Sequence, residues 1–243
     1  MSAPHPPRIV AVDIARSLAL AGMILFHFVR DLEMFGLIAP GTTLTGGWAL
    51  FARVVAGSFL FLAGVSLTLA HGDGIRWRAF LRRLAVLSGA ALLVTVATYV
   101  AMRESFIFFG ILHSIAVASV IGLAFVRAPA WAALAAAAVF LFAPRVATSP
   151  VFDPPWLIWI GLAERTPLTL DFEPVFPWAG ALLLGVAAAR LGMNLGLWGR
   201  LLGVARGRVG RALGWPGRHS LAIYLLHQPV LIAGLVAWLR IVA

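Results

Sequence analysis

The sequence predicts an all-α fold, a polytopic integral membrane bundle of about seven transmembrane helices. Hydrophobic residues make up 62% of the 243 positions and charged residues only 12%. A soluble domain is about half apolar and about a quarter charged. The apolar residues also form long runs over the whole chain, whereas a membrane barrel is typified by short alternating segments.

Seven apolar segments each have close to the ~20 residues that a helix needs to cross a bilayer. They cover residues 9–30, 48–70, 82–101, 106–126, 129–146, 174–191 and 219–240. The fifth segment is short and rich in alanine. Because the polar stretches between the segments are short, we expect a single domain over residues 1–243.

Charge predicts the orientation. The net charge is +10 and every basic residue is arginine. Arginines concentrate in the loops around 71–82 and 192–218, whereas the 147–173 loop has four acids and only one arginine. Cytoplasmic loops carry the arginine excess, so the N-terminus lies inside and the C-terminus outside. Arginines confined to short loops between spans do not favour nucleic acid as a partner.

Two further stretches are expected to lie at the membrane surfaces. Residues 151–162 read as a short interfacial helix or lid on the outer side. Residues 195–215 read as an amphipathic helix on the inner side, which would either bind anionic lipid or form a basic platform for a phosphorylated ligand. The chain has no cysteine, which excludes disulfides, thiolate zinc sites and a cysteine nucleophile. Its beginning lacks the layout of a cleavable signal, so the first segment is expected to remain as a span.

A basic residue and a histidine stand inside the first apolar segment, Arg16 and His27. Eleven residues at about 100° each bring the second side chain back to nearly the same helix face, about 16 Å further along the axis. Ionisable groups within a membrane are costly, so such a pair indicates a functional site. The simpler alternative for Arg16 is that it snorkels or pairs with Asp13.

The last segment adds a polar stripe, because Ser220, Tyr224 and His227 follow one another at helical spacing. His113 stands in the fourth segment. Together with the first segment these side chains are expected to line one cleft through the membrane. The alternative is that each histidine is a structural hydrogen-bonding group between helices. The histidines show no metal-ligand spacing within any segment, so no metal is expected.

These residues resemble the heparan-α-glucosaminide N-acetyltransferase-like membrane family, including its bacterial branch, within the wider group of transmembrane acyltransferases. The resemblance runs in order through VDIARSLALAGMILFHF, SFLFLAGVSL, FGILHSIA, EPVFPWAGALLLG and GRHSLAIYLLHQPVL. A feature common in that group is Arg, ten residues, then His, which Arg16 and His27 match. The family commonly has glycine after this arginine, where this chain has Ser17.

The resemblance implies an enzyme of the bacterial cytoplasmic (inner) membrane, with cytosolic acetyl-CoA as the donor. The acceptor would be a hydroxyl or amine on the other side, often on a sugar or glycan. His27 would take the acceptor proton or carry the acetyl group, Asp31 would orient its ring, and His113 would donate to the oxyanion. The donor would be bound by residues of the first and last spans: Arg16, Arg218, His219, Ser220, Tyr224 and His227. Of these, Tyr224 and His227 are also candidates to donate to the oxyanion. Membrane lipids are further expected partners, and homo-oligomerisation is left open.

Two other functions fit the same composition. A proton-coupled transporter would use the intramembrane histidines as a relay, although the chain shows no internal repeat. An accessory membrane subunit would need neither Arg16 nor His27.

Overall fold

A computed structural model describes residues 9–205 and 207–242. The described residues form α-helices joined by turns and short 3-10 segments, with one isolated β-bridge between Phe109 and Phe172. The α-helices are α1 (Val10–Met34), α2 (Gly46–His71), α3 (Trp77–Ala101), α4 (Ile111–Leu123), α5 (Ala130–Phe142), α6 (Val175–Asn194), α7 (Leu197–Leu201), α8 (Arg208–Leu213), α9 (Trp215–Arg218) and α10 (Ser220–Val242). The all-α prediction is therefore confirmed for the described chain.

Five of these helices are long and apolar enough to cross a membrane: α1, α2, α3, α6 and α10. The fourth and fifth predicted segments are also helical but shorter, with α5 continued by a 3-10 turn over Ala143–Arg145. Every predicted segment thus coincides with a helix. Five candidate spans support an integral membrane protein, whereas seven crossings and the orientation of the termini stay predictions.

Two surface segments differ from the prediction. Residues 151–162 contain 3-10 turns at Pro150–Phe152 and Ile158–Ile160 in place of an α-helix, because Pro154 and Pro155 lack the N–H that a helix interior needs. Residues 195–215 are broken into the short helices α7 and α8. Glycine is a poor helix former and recurs through this stretch, so a single amphipathic helix does not form.

The contacts of the chain divide it into two compact units. The second unit, Leu60–Leu197, contains most of α2 and the helices α3 to α6. Here α2 and α6 cross at two glycines: a Cβ at Gly64 would overlap the backbone of Leu182, and one at Gly185 would overlap that of Phe61. Small residues allow such close helix contact where lipid replaces water as the solvent. On its other side α6 packs against the alanine face of α5.

The first unit comprises the residues up to Phe59 and those from Trp198 onward. In it α1 packs along α8, α9 and α10. The beginning of α1 lies beside α9, where the N–H of Gly217 donates to the hydroxyl of Ser17. Its end lies beside α10, where the amide of Gln228 donates to Asp31. The two long helices α1 and α10 therefore run in the same direction.

Candidate functional site

The face of α1 that bears Arg16 and His27 is polar at both ends and apolar between them, with Asp13 near the beginning and Asp31 near the end. The helix is unbroken over its 25 residues, so Arg16 and His27 share a face and are separated by about 16 Å along the axis. The helix also extends beyond the predicted end of the first span and includes Asp31 and Glu33. Polar clusters form at both ends of this face, each with residues from the last helices of the chain.

The first cluster surrounds Asp13, a carboxylate that is buried although it stands within the first turn of α1. Nη1 of Arg16 donates to Oδ1 of Asp13 at 3.1 Å, while 24% of the arginine side chain stays exposed. The pairing proposed as the simpler alternative for Arg16 is thus present.

Ser17 joins α1 to α9. Its hydroxyl accepts from the N–H of Gly217 at 2.8 Å and donates to the carbonyl of Asp13 at 3.1 Å. A Cβ at Gly217 would overlap that same carbonyl, so the two backbones are in direct contact. A glycine at position 17 could not make these bonds. The serine that departs from the common pattern of the resembled family therefore has a defined structural role.

Arg218 is held beside the same cluster. Its Nη2 donates to the carbonyl of Arg211 at 2.9 Å. A Cβ at Gly214 would lie 3.2 Å from Cβ of Asp13 and 3.5 Å from Nη1 of Arg218. The guanidinium of Arg218 is therefore close to Asp13, the residue to which Arg16 donates. That Arg16 and Arg218 belong to one anion site stays a prediction.

His219 and Ser220 complete this end. The imidazole of His219 is exposed and lies against the indole of Trp215, with the ring centroids 4.5 Å apart. Its Nδ1 lies 3.0 Å from the carbonyl oxygen of Trp215. Since a carbonyl only accepts, Nδ1 carries the hydrogen. Ser220 follows as the first residue of α10.

The second cluster brings two imidazoles together. The rings of His27 and His227 are 4.9 Å apart and meet edge to face. Tyr224 lies next to His227, with the two ring centroids 5.6 Å apart. Nδ1 of His227 donates to the carbonyl of Tyr224, which leaves the lone pair of the neutral ring on Nε2. The predicted stripe of α10 thus meets the predicted face of α1.

Asp31 has a different partner from the one expected. The sequence predicts that Asp31 orients the ring of His27, which lies one helical turn earlier on α1. In the described structure its Oδ1 accepts instead from Nε2 of Gln228 at 2.6 Å. Only 1% of Asp31 is exposed. The prediction that Asp31 bonds His27 is therefore wrong. Asp31 instead joins α1 to α10, because its carboxylate lies against the side-chain amide of Gln228.

At the same end of α1, Glu33 holds the loop that follows the helix. Its carboxylate accepts from the N–H groups of Gly41 and Thr43, from the hydroxyl of Thr43 and from Arg30. A charged acceptor with several donors is well stabilised even at a helix end. The loop after α1 is therefore fastened next to Asp31.

His113 lies in the other compact unit and has both ring nitrogens engaged. Nδ1 accepts from the N–H of Gly110 at 3.3 Å, which caps the beginning of α4. Nε2 lies 3.3 Å from the hydroxyl of Thr95. That hydroxyl donates to the carbonyl of Ile107, so it accepts from Nε2. Such an imidazole would have to break a bond before donating to an oxyanion, and its geometry is that of the structural alternative.

Sequence analysis overlooked two residues that organise these clusters, Gln228 and Glu33, and a buried carboxylate of the other unit, Asp171. Gln228 carried a signal, since it is an amide inside an apolar span next to His227. Asp171 stands in the loop before α6, where its Oδ2 accepts from the N–H of Ile111 at 3.1 Å. Burial raises the pKa of Asp171 to about 6, against a smaller lowering by this hydrogen bond. It connects the loop to α4 rather than to the first unit's clusters.

Comparison with known proteins gives one match. The family model described as heparan-alpha-glucosaminide N-acetyltransferase, catalytic, matches residues 8–229. Neither the curated proteins nor the solved structures give a match. The matched range includes both ends of the polar face of α1 and the stripe of α10 up to Pro229.

Proposed function

Because this chain belongs to the heparan-alpha-glucosaminide N-acetyltransferase catalytic family, we propose that it transfers an acetyl group from cytoplasmic acetyl-CoA to an extracytoplasmic hydroxyl or amine. The observation that carries the proposal is the single face of α1, with an arginine cluster at one end and paired imidazoles at the other. A membrane acetyltransferase needs these two ends, one for an anionic donor and one for proton transfer.

The arginine cluster fits the phosphates of the donor. The guanidinium groups of Arg16 and Arg218 both lie close to Asp13, and guanidinium groups bind phosphate oxygens with charge-assisted hydrogen bonds. The exposed His219 and the hydroxyl of Ser220 lie next in the chain. The Ser220 hydroxyl is a further donor for the same anion. His219 donates to it only as the imidazolium, because its Nδ1–H is bonded to the carbonyl of Trp215. The thin pantetheine arm would then extend along α1 and bring the thioester to His27.

The imidazole pair fits the chemistry. The neutral ring of His27 takes the proton of the acceptor O–H or N–H while the acceptor atom attacks the thioester carbon. The carbon–sulfur bond then breaks, and the proton passes from His27 to the departing sulfur, which leaves as the thiol of CoA. Tyr224, whose ring lies beside that of His227, is the candidate to stabilise the oxyanion. His227 lies beside the reacting ring but does not donate there, because its Nδ1–H is bonded to the carbonyl of Tyr224. The alternative is a covalent acetyl group on His27.

Two of the expected catalytic residues take other parts in this proposal. His113 is assigned to capping α4, because both its nitrogens are bonded there. Asp31 is assigned to the acceptor side, because its partner is Gln228. The acceptor itself is proposed to be a sugar or glycan, and the membrane the cytoplasmic membrane of a bacterium. Lipid contacts and homo-oligomerisation stay predictions.

Purified protein in proteoliposomes with labelled acetyl-CoA tests the proposal. Release of free thiol measures thioester cleavage, and label in the acceptor measures transfer. We expect His27→Ala to abolish both, and Arg16→Ala or Arg218→Ala to raise KM for acetyl-CoA by about tenfold or more, as for the loss of a charge-assisted bond. Arg200→Ala, which removes an exposed arginine of α7, is the matched control and should leave KM unchanged.

Full turnover by His27→Ala would reject the catalytic role. Equal KM for all the arginine variants would reject the donor site. Label retained on wild-type protein in the absence of acceptor, and absent from His27→Ala, would favour the covalent route over direct transfer.

A further inference from the structure

Three buried polar atoms belong to neighbouring residues of the second cluster and have no hydrogen-bond partner within the described chain. They are Oδ2 of Asp31, Oε1 of Gln228 and Nε2 of His227. Asp31 is 1% exposed and His227 9%. An unmade hydrogen bond at a buried polar group is costly, so native structures contain few such atoms. A group of them in one place indicates a ligand.

Their positions are fixed by contacts between α1 and α10. Asp31 and Gln228 are hydrogen-bonded to each other, and Gln228 follows His227 directly in the chain. The ring of His227 in turn meets that of His27, and Asp31 lies one turn beyond His27 on the same helix. The group is therefore about 6 Å along α1 from the proposed base.

All three atoms accept hydrogen bonds. A carboxylate only accepts, so the amide nitrogen of Gln228 must face Asp31 and its oxygen must point away. His227 uses Nδ1–H on the carbonyl of Tyr224, so its Nε2 holds a lone pair. A matching ligand must supply several N–H or O–H donors. A thioester or a phosphate group supplies none. In the proposed function the amide N–H groups of the pantetheine arm would lie on the other side of His27, towards Arg16.

We propose that Asp31, Gln228 and His227 bind the acceptor through donor groups that do not react, and so determine which acceptors are used. This rests on the proposed function, since the reacting group would lie against His27. The shared chemistry of the ligand is two or more neighbouring N–H or O–H donors. Neighbouring hydroxyls of a sugar supply it, and so does an ammonium beside a hydroxyl.

Asp31→Asn separates recognition from a structural role. An asparagine oxygen still accepts from Gln228, so the bond between α1 and α10 is kept, whereas the second atom changes from an acceptor to a donor. Gln228→Met is the second variant and removes the amide at similar length. Leu226→Ala, on the exposed side of the same helix, is the matched control. Melting curves of each purified variant report folding.

Calorimetry on the full-length protein in detergent uses three probes: methyl glucoside, glucosamine and a permethylated glucoside. We expect wild type and Leu226→Ala to bind methyl glucoside or glucosamine but not the permethylated compound, which has lost its donors. Both site variants should weaken that binding by about tenfold or more. In turnover with acetyl-CoA, they should lower transfer to the sugar relative to hydrolysis. Binding of glucosamine alone identifies the ammonium as the recognised donor.

Equal affinities for wild type and Asp31→Asn would overturn the proposal, and so would wild-type protein that binds neither donor-bearing probe. Binding of the permethylated compound would overturn it as well. If the sugar binds and depends on Asp31 but no acetyl transfer occurs, the acceptor site stands and the proposed acetyltransferase function fails.

Discussion

The histidines of this chain differ in which ring nitrogens are already bonded. His113 uses both, on Gly110 and Thr95, whereas His227 uses Nδ1 alone and leaves Nε2 without a partner in the described structure. A neutral imidazole can accept a proton only through a nitrogen whose lone pair is accessible. The hydrogen-bonding state therefore distinguishes His113, which has a structural role, from His227, which keeps one ring nitrogen for a ligand.

Replacing His113 should affect stability and not the rate. His113→Ala removes two partly buried hydrogen bonds and a helix cap, which should lower the free energy of unfolding by about 1–3 kcal/mol. Turnover per folded molecule should stay near that of wild type. His27→Ala should show the reverse, an unchanged melting temperature with turnover lost. Melting curves and thiol release on the same preparations measure both effects. A His113→Ala protein that is fully folded but inactive would show that His113 is catalytic.

At the scale of helices, the contact that sets the arginine cluster is the approach of α1 to α9. Ser17 and Gly217 make this contact possible, because the hydroxyl bonds the glycine N–H and the missing side chain leaves room for the Asp13 carbonyl. Arg16 and Arg218 are neighbours of these two residues in the sequence. The distance between Arg16 and Arg218 therefore depends on the contact between the backbones of α1 and α9.

Gly217→Ala should separate the two helices. The added methyl overlaps backbone, which cannot move as a flexible side chain can, so we expect a lower melting temperature and a raised KM for acetyl-CoA. Gly234→Ala is the control, since its Cβ would meet open space within α10 and alanine is the better helix former. A Gly217→Ala protein with the melting temperature and KM of wild type would show that the contact is not needed.

Asp171 makes the attachment of the loop to α4 sensitive to pH. Burial raises the pKa of the Asp171 carboxyl from 3.8 to about 6 in the folded protein. The protonated carboxyl therefore adds stability that is fully present below pH 3.8, the unfolded pKa, and is lost as the pH rises through about 6. A shift of this size corresponds to about 3 kcal/mol at most. Asp171→Asn does not titrate, and its melting temperature should gain on wild type between pH 5 and 7.5. A difference in melting temperature between wild type and Asp171→Asn that stays the same at every pH would contradict this prediction.

At the scale of the whole molecule, α1 and α10 run in the same direction because their contacts follow the same order. If both cross the membrane, the number of spans from first to last is odd. Five and seven crossings both satisfy this condition. They differ in whether α4 and α5 cross, and hence in the side on which the turn between them lies.

Single cysteines can decide the number of crossings, because the chain has none of its own. Seven spans place Asp73 and Ala128 inside and Thr166 outside. An impermeant maleimide should then label Thr166→Cys in intact cells, and Asp73→Cys and Ala128→Cys only after lysis. Labelling of Ala128→Cys in intact cells would show that α4 and α5 do not cross.

The sequence was sufficient for features that depend on local periodicity. Apolar runs predicted the helices, and spacing alone predicted that Arg16 and His27 share a face. The sequence could not predict the hydrogen bond between Asp31 and Gln228, because the two residues are 197 positions apart and no local pattern indicates such a contact. The bond of Ser17 to Gly217 was hidden for the same reason. The 195–215 stretch was misread because its amphipathic pattern outweighed the low helix propensity of its glycines.

A structure of the protein with bound coenzyme A tests the central claim most directly. We expect phosphate oxygens within about 3 Å of the Arg16 and Arg218 guanidinium groups, and the sulfur at the ring of His27. Coenzyme A bound away from α1, or a polar face of α1 turned to lipid with no path from Arg16 to His27, would contradict the account.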